Sequence, residues 1–319
     1  MTTAGRPDTA SSSTEPIAGT SLWKDAWRRL RRNRLAVAGL LVVALVVIVS
    51  LAGPPIIETA TGYTYDYIPA DRGLVRAMAP FTAPDGAFSW LHPMGTDVAG
   101  RDLLARVLLG GRISMMVGLI STLVSLVIGT AFGATAGYLG GRIDEAMMRV
   151  VDVLYSIPYM MLVIVLLALF GSRSPIGQLV LLFIALGSVS WLTMARIVRG
   201  QVISLKSQEF VLAARATGLA PATIIARHLV PNALGPVIVY ATLTIPSVML
   251  SEAFLSFLGL GVQAPLASWG SLAADGVQNI AVFPWQLIAP GVTMALTLLS
   301  LNFVGDGLRD ALDPQMRKG

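Results

Sequence analysis

Cysteine is absent from this sequence, histidine occurs only twice, and charged residues are scarce. Without cysteine the chain can form no disulfide framework, no thiolate metal site and no cysteine nucleophile. Charged residues make up 13% of the chain and hydrophobic residues 55%, whereas an average soluble domain carries about 25% charged residues. So few charges could not keep a soluble surface in solution, and so many apolar residues exclude a disordered chain. The composition therefore indicates a membrane protein.

Other absences exclude particular chemistries. The lysines are Lys24, Lys206 and Lys318, and none follows a glycine, so the chain has no phosphate-binding loop of the Walker A type. His92 and His228 are expected on opposite sides of the membrane, which leaves no site for a metal held by two histidines. We also expect no paired catalytic side chains within the membrane. A channel, a carrier with few charges, or a membrane subunit driven by another protein remain possible.

Long uncharged runs predict the transmembrane helices. A helix needs about 20 apolar residues to cross the hydrocarbon core, and it satisfies its own backbone hydrogen bonds there. The predicted spans are residues 35–57, 113–141, 153–172, 174–195, 232–258 and about 285–305. Residues 253–274 are also uncharged but contain several glycines and serines, and the second half of this stretch is predicted as loop or re-entrant structure. The expected fold class is all-α, with six transmembrane helices.

Basic residues predict the orientation of these spans. Residues 1–34 carry seven Lys and Arg, the connection 196–231 carries five against one acid, and residues 259–284 carry none. Because cytoplasmic loops are enriched in Lys and Arg, we expect the N-terminus, this connection and the tail 309–319 in the cytoplasm. The nearly neutral segment 58–112 is expected outside. The basic excess is then a topology signal, and nucleic acid is not an expected partner.

The N-terminal region divides into two parts. Residues 1–20 are rich in Ser, Thr, Ala and Pro and are predicted to be disordered. In residues 21–34, the tryptophans Trp23 and Trp27 share one helical face, and arginines occupy most of the other. This pattern predicts a helix that lies in the cytoplasmic membrane interface against lipid headgroups. A simple topology signal is the alternative interpretation.

The connection 196–231 carries the signals of two short helices. Ser207 suits an N-cap, Gly218 suits the left-handed position that closes a helix, and Pro221 suits the first turn of the next helix. Pro231 is expected to begin a break before the fifth span. The first helix contains a row of alanines at Ala213, Ala214 and Ala216, beside the larger Phe210 and Leu212. We expect this helix to dock into a partner's groove or, alternatively, to pack against its own bundle.

The same connection resembles the EAA signature of bacterial ABC importer permeases. The matching positions are Ala213, Ala214, Gly218 and Pro231, whereas Leu212 stands where the signature has glutamate. In that family the segment forms coupling helices that sit in a cleft of the ATPase subunit. The resemblance therefore implies an ATPase-coupling site formed by Glu209, Phe210, Leu212, Ala213, Ala214, Arg215, Gly218 and Pro231.

Three further segments are similar to dipeptide and oligopeptide permeases. They are residues 92–114 before the second span, 256–270 after the fifth, and 302–314 at the C-terminal end. The basic helix before the first span is typical of the C-type rather than the B-type permease subunit. The resemblance covers roughly residues 21–314. It implies the type I ABC importer fold, with a core permease domain at 113–308 and coupling helices at 204–231.

The resemblance also implies an assembly. A second, B-type permease, two ATP-binding subunits and an extracytoplasmic solute-binding protein would accompany this chain in the cell membrane. The chain itself would be non-catalytic and would bind no metal or cofactor, since ATP and Mg²⁺ belong to the ATP-binding subunits. The expected substrate is a dipeptide or oligopeptide. A nickel or other small-solute importer of the same family is the alternative, and a stand-alone channel or carrier is less expected.

Two other groups of residues are candidates for function. In the external segment, Asp97, Arg101, Asp102 and Arg106 could meet the solute-binding protein or, alternatively, form the internal ion pairs of a self-packed cap. In the fifth span, Glu252 and Met249 could line the translocation path. Glu252 could equally face external water or pair with an arginine of the cap, and methionine in a span is usually ordinary packing.

Overall fold

The computed structural model describes residues 22–71, 76–172 and 174–312. These residues contain helices and isolated bridges but no strand, as the all-α prediction requires. The helices are α1 (Leu22–Leu30), α2 (Arg34–Thr61), α3 (Leu103–Leu139), α4 (Gly141–Ser156), α5 (Tyr159–Phe170), α6 (Pro175–Leu205), α7 (Glu209–Ala216), α8 (Pro221–Ile224), α9 (Val230–Phe257), α10 (Trp269–Gln278) and α11 (Trp285–Leu312). A π-helical turn, Ile225–Leu229, joins α8 to α9. The predicted disordered tail 1–20 lies outside the described residues.

Within the described residues, five helical units are long and apolar enough to cross a membrane. They are α2, α3, α6, the continuous unit Pro221–Phe257 and α11. The remaining predicted span, at 153–172, is not one continuous helix, because α4 and α5 meet at an angle of 82°. Ile157 has an extended backbone between them, as a residue before proline prefers, and Pro158 lacks the N–H that would continue the helix. The prediction of a single helix here was wrong.

Close contact between α3 and α6 forms the centre of the bundle. Gly129, Gly133 and Gly137 follow one another at four-residue intervals on the face of α3 that meets α6. A Cβ atom at Gly137 would lie 2.8 Å from the backbone oxygen of Arg199, and one at Gly133 would overlap the backbone oxygen of Ala195. Small residues at this spacing let two membrane helices approach backbone to backbone. The contacting residue numbers increase in the same direction along both helices, from Gly129 with Met194 to Gly137 with Arg199. Helices α3 and α6 therefore run parallel.

Residues 76–102, called the cap below, cross the end of the bundle where α3 and α11 begin. The backbone oxygen of Thr96 accepts hydrogen bonds from Trp285 Nε1 at 3.3 Å and from Gln286 Nε2 at 3.2 Å. Helix α10 lies at the same end, because Trp269 Nε1 donates to the backbone oxygen of Val107 at 2.9 Å. Loop or re-entrant structure was predicted up to residue 274; the structure has the short helix α10 there, which Ser268 opens with a capping box.

The opposite end of the bundle, called the α7 end, holds α1, the start of α2 and the end of α11. Asn33 caps α2 by accepting hydrogen bonds from the backbone N–H groups of Leu35 and Ala36. A Cβ atom at Gly307 of α11 would meet Ala36, so α11 and α2 touch closely here. Helix α1 packs on α11, with Ala26 buried and Trp27 54% exposed.

Candidate functional site

The segment from α7 through the π-helical turn, residues 209–229, is the principal candidate site. Gln208, not Ser207, occupies the N-cap of α7, and the Ser207 hydroxyl instead donates to the backbone oxygen of Ser204. The prediction of a Ser207 cap was therefore wrong. Gly218 closes α7 in the left-handed conformation with φ of 77°, and Pro221 occupies the first turn of α8. Both of these predictions are confirmed.

Helix α7 has two different faces. Val211 and Ala214 are buried against the chain's own bundle, together with Ile224 of α8. Phe210 is 40% exposed and Leu212 is 50% exposed on the outer side. Glu209, Ala213, Arg215 and Gly218 are also exposed. The two adjacent alanines of the signature thus point in different directions: Ala214 seats α7 on the bundle, and Ala213 lies on its free surface.

Polar contacts join the end of α3 to both α6 and α7. Lys206 Nζ, at the C-cap of α6, donates to the backbone oxygen of Gly137 at 2.9 Å. The Arg215 guanidinium of α7 lies 4.8 Å from the centre of the Tyr138 ring, which is a cation–π distance. Helix α7 therefore contacts the end of α3 directly through Arg215.

The second half of the segment connects directly to a span. The predicted break at Pro231 was wrong: helical structure runs unbroken from Pro221 to Phe257. Pro231 lies in the first turn of α9, where a missing N–H is tolerated, and the π-helical turn Ile225–Leu229 precedes it. Continuous helix therefore connects α8 to the other end of the bundle, with a π-helical turn and the prolines Pro236 and Pro246 along its length.

The polar residues of the cap are bonded to one another. The Asp97 carboxylate accepts hydrogen bonds from the backbone N–H of Arg101 at 2.9 Å, from Arg101 Nε at 2.7 Å and from Arg106 Nη1. Asp102 caps α3 through the N–H of Ala105 at 2.7 Å and contacts His92 Nδ1 at 2.9 Å. Asp97, Asp102 and Arg106 are buried, whereas Arg101 is partly exposed. This geometry favours the self-packed cap for three of the four residues.

A cluster of exposed aromatic side chains lies on the cap, and it was not predicted from the sequence. Trp90 is 73% exposed, Phe88 is 69% exposed and Phe81 is 37% exposed. The rings of Phe81 and Phe88 are stacked with centres 5.9 Å apart, and Trp90 meets Phe81 edge to face. No charge pattern marks this patch in the sequence; the spacing Phe88 to Trp90, with alternate residues on one side, was its only signal.

Glu252 and Met249 are both enclosed within the bundle. Glu252 has no exposed surface, and its carboxylate accepts hydrogen bonds from Ser256 Oγ at 2.6 Å and Ser114 Oγ at 3.3 Å. Ser114 Oγ also accepts the N–H of Trp269, so this cluster joins α3, α9 and α10. Met249 is 1% exposed and lies against Gly118 of α3. The burial of Glu252 and Met249 favours a role in helix packing over a place in the lining of an open translocation path.

The chain matches a family model for the binding-protein-dependent transport system inner membrane component over residues 129–318. A second model, the N-terminal TM domain of oligopeptide transport permease C, matches residues 21–84. The chain belongs to the binding-protein-dependent transport family. The resemblance seen in the sequence is thereby confirmed.

Curated relatives cover nearly the whole chain. The oligopeptide transport system permease protein OppC of Escherichia coli K12 is 48% identical over 301 residues, which span 94% of each chain. OppC of Haemophilus influenzae is 46% identical over 94% of this chain and 91% of its own length. The dipeptide transport system permease protein DppC of Bacillus subtilis is 41% identical over 93% of this chain and 87% of its own length.

A solved structure has the same fold. The inward-facing MetNI methionine ABC transporter matches with a TM-score of 0.51 at 20% identity, covering 65% of this chain and 96% of that chain. The predicted ABC importer fold is therefore confirmed.

Proposed function

We propose that this chain is the C-type permease subunit of an ATP-driven importer of oligopeptides. The support is its similarity to the OppC and DppC proteins along nearly its whole length. In this proposal a B-type permease supplies the other half of the path. Two ATP-binding subunits hold ATP and Mg²⁺, and an extracytoplasmic solute-binding protein delivers the peptide.

The α7 end is cytoplasmic in this proposal. The connection 196–231 carries five basic residues and one acidic residue, which favours the cytoplasmic side. The same orientation places α1 and the end of α11 in the cytoplasm and the cap outside. The arginines of α1 then face anionic lipid headgroups, which attract basic residues close to the membrane surface.

Coupling to ATP would run through the segment 209–229. The exposed surface of α7 carries the large apolar side chains of Phe210 and Leu212 beside the charged Glu209 and Arg215, which suits insertion into a groove of an ATP-binding subunit. The observation that carries the mechanism is the continuous helical run from Pro221 to Phe257. Closure of the ATP-binding subunits would move α8 and tilt α9 as a rigid body, switching the bundle between two packed arrangements.

Reconstitution tests this function. The complete complex is placed in proteoliposomes with the loaded solute-binding protein, and uptake of a radiolabelled pentapeptide is measured with and without ATP. We expect uptake that requires both ATP and the solute-binding protein. Uptake by this chain alone would instead identify a stand-alone carrier, and uptake of radiolabelled nickel but not of peptide would identify the small-solute alternative.

A pair of variants tests the coupling surface. Phe210→Asp places a charge on the exposed face of α7 and should abolish retention of the ATP-binding subunits on affinity purification. Val277→Asp is the matched control, because Val277 is 41% exposed on α10 at the cap end. The control should retain them fully. Equal retention by both variants would contradict the proposed coupling role.

A further inference from the structure

An open groove of about 580 Å³ lies where the bend between α4 and α5 meets α6 and α9. Eight of its fifteen lining side chains carry a hydroxyl group, and none belongs to Asp, Glu, Lys, Arg or His. Exposed lining residues, including Tyr155 and Ser247, show that the groove opens on the subunit surface. A membrane-embedded surface with this many hydroxyl groups and no fixed charge is suited to a polar, uncharged ligand.

One side of the groove is a polar stripe along α9. Tyr240, Thr244, Ser247 and Ser251 line it, and their spacing of four, three and four residues keeps them on one helical face. At 1.5 Å per residue the stripe is about 16 Å long. An extended peptide rises about 3.3 Å per residue, so the stripe matches about five residues of such a chain.

The serine and threonine hydroxyls are arranged as acceptors. Thr244 Oγ1 donates to the backbone oxygen of Tyr240 at 2.8 Å, Ser251 Oγ to that of Ser247 at 2.9 Å, and Ser190 Oγ to that of Leu186 at 2.8 Å. A hydroxyl has one proton and two lone pairs. Because each proton is already used within its own helix, the lone pairs are left to accept hydrogen bonds from a ligand.

Tyrosines complete the lining. Tyr159 of α5 lines the groove together with Ser190 of α6 and Ser251 of α9. At the edge, the Arg196 guanidinium lies 4.2 Å from the centre of the Tyr155 ring and is paired with Asp152 at 2.8 Å. The charge at this edge of the groove is therefore paired, and the groove lining itself carries no charged side chain.

We propose that this groove binds the main chain of a transported peptide, with its hydroxyl groups accepting hydrogen bonds from the peptide N–H groups. Each residue of an extended peptide carries a main-chain N–H and C=O whatever its side chain. Such contacts hold many sequences equally, and their modest individual strength permits release. This inference rests on the proposed function, because it assumes that the cargo is a peptide.

The test combines a double variant with two pentapeptides. Tyr240→Phe with Ser247→Ala removes two hydroxyls from the stripe and keeps the ring of Tyr240. The matched control is Thr242→Val, also on α9 but outside the groove lining, whose hydroxyl donates to the backbone oxygen of Val239 at 2.8 Å. One pentapeptide is unmodified, and the other is N-methylated on alternate main-chain nitrogens. ATP-dependent uptake is measured in the full complex, with the solute-binding protein loaded with each peptide.

Each variant is compared with the wild-type complex for the same peptide, so the affinity of the solute-binding protein cancels. Losing one neutral hydrogen bond weakens binding about two- to ten-fold. We expect the double variant to slow uptake of the unmodified peptide by at least about five-fold and to leave the methylated peptide unchanged. The Thr242→Val complex should transport both at wild-type rates.

An equal loss for both peptides would overturn the proposal, because the hydroxyls would then serve packing or a lipid chain and not peptide N–H groups. No loss for either, or faster uptake of the unmodified peptide, would overturn it as well. Failure of the wild-type complex to transport any peptide is a different result: it would refute the proposed function, and this inference with it.

Discussion

The two ends of the bundle use their polar and apolar side chains in opposite ways. At the cap, the carboxylate of Asp97 and the guanidinium of Arg106 are buried and paired, and aromatic rings such as Trp90 are left outside. In α7, Ala214 and Val211 pack inward, and Phe210 and Leu212 stay exposed. At both ends large apolar side chains are exposed beside charged ones, such as Asp85 at the cap and Arg215 on α7. We therefore expect the buried ion pair of the cap to contribute to the stability of the fold. The exposed apolar side chains at both ends are the surface that partner proteins can contact.

Asp97→Ala should cause the largest loss of stability. It removes an acceptor of several hydrogen bonds and leaves the buried Arg106 with only Asp275, 3.9 Å away, as a counter-charge, which costs about 3 kcal/mol. Thermal unfolding of the purified chain in detergent measures this loss. The matched control, Asp85→Ala, removes an exposed carboxylate of the same cap and should cost under about 1 kcal/mol. Similar unfolding temperatures for the two variants would contradict the buried network.

Glu252→Leu should cost about 2 kcal/mol, because it leaves the hydroxyls of Ser114 and Ser256 without their acceptor. Glu252→Gln keeps an acceptor and should be nearly as stable as the wild type, with an unchanged ratio of uptake for acidic and basic pentapeptides. A changed ratio in the Gln variant would instead indicate that Glu252 contacts the cargo.

Substitutions at two adjacent alanines of α7 distinguish its packing against the bundle from its docking to a partner. Ala214→Leu overfills a buried position and should lower stability by about 1–3 kcal/mol. Ala213→Leu changes an exposed position and should leave stability within about 0.5 kcal/mol, yet reduce peptide-stimulated ATP hydrolysis by the complex. Thermal unfolding and an ATPase assay distinguish them. Matching effects of the two substitutions would show that α7 has no free face.

Trp90→Ala should have the smallest effect on stability. The side chain is 73% exposed, so the variant should unfold within about 0.5 kcal/mol of the wild type. Stimulation of ATP hydrolysis by the solute-binding protein should fall several-fold, because an exposed aromatic patch is typical of a docking surface. Full stimulation would assign docking to another part of the cap.

The helical membrane fold could be predicted from the sequence because it follows from local properties. Uncharged runs mark the spans, and Gly218 and Pro221 mark the ends of α7 and α8. The bend at Pro158 was also present in the sequence, but the long apolar run around it favoured one continuous helix. The conformational restriction that Pro158 imposes therefore decided the structure here, and the length of the apolar run did not.

The details of the candidate sites depend on contacts between distant residues. Ser114 and Glu252 are 138 positions apart, so nothing local predicts their bond. Small residues carry no amphipathic signal, and Ala213 and Ala214 therefore could not be assigned to opposite faces in advance. The hydroxyl stripe of α9 has a visible spacing, but serine and threonine in membrane helices usually bond to their own backbone. Only the neighbouring α4, α5 and α6 turn that stripe into a groove.

A crosslinking experiment tests the central claim, that α7 is held by an ATP-binding subunit. Because the chain contains no cysteine, Leu212→Cys introduces a single reactive thiol on the exposed face of α7, and Val277→Cys introduces one at the cap end. A short thiol-to-amine crosslinker is applied to the assembled complex in membranes. The account predicts that the residue 212 variant is joined to the ATP-binding subunit and that the residue 277 variant is not. Crosslinking of position 212 only within its own chain, or equally from both positions, would contradict it.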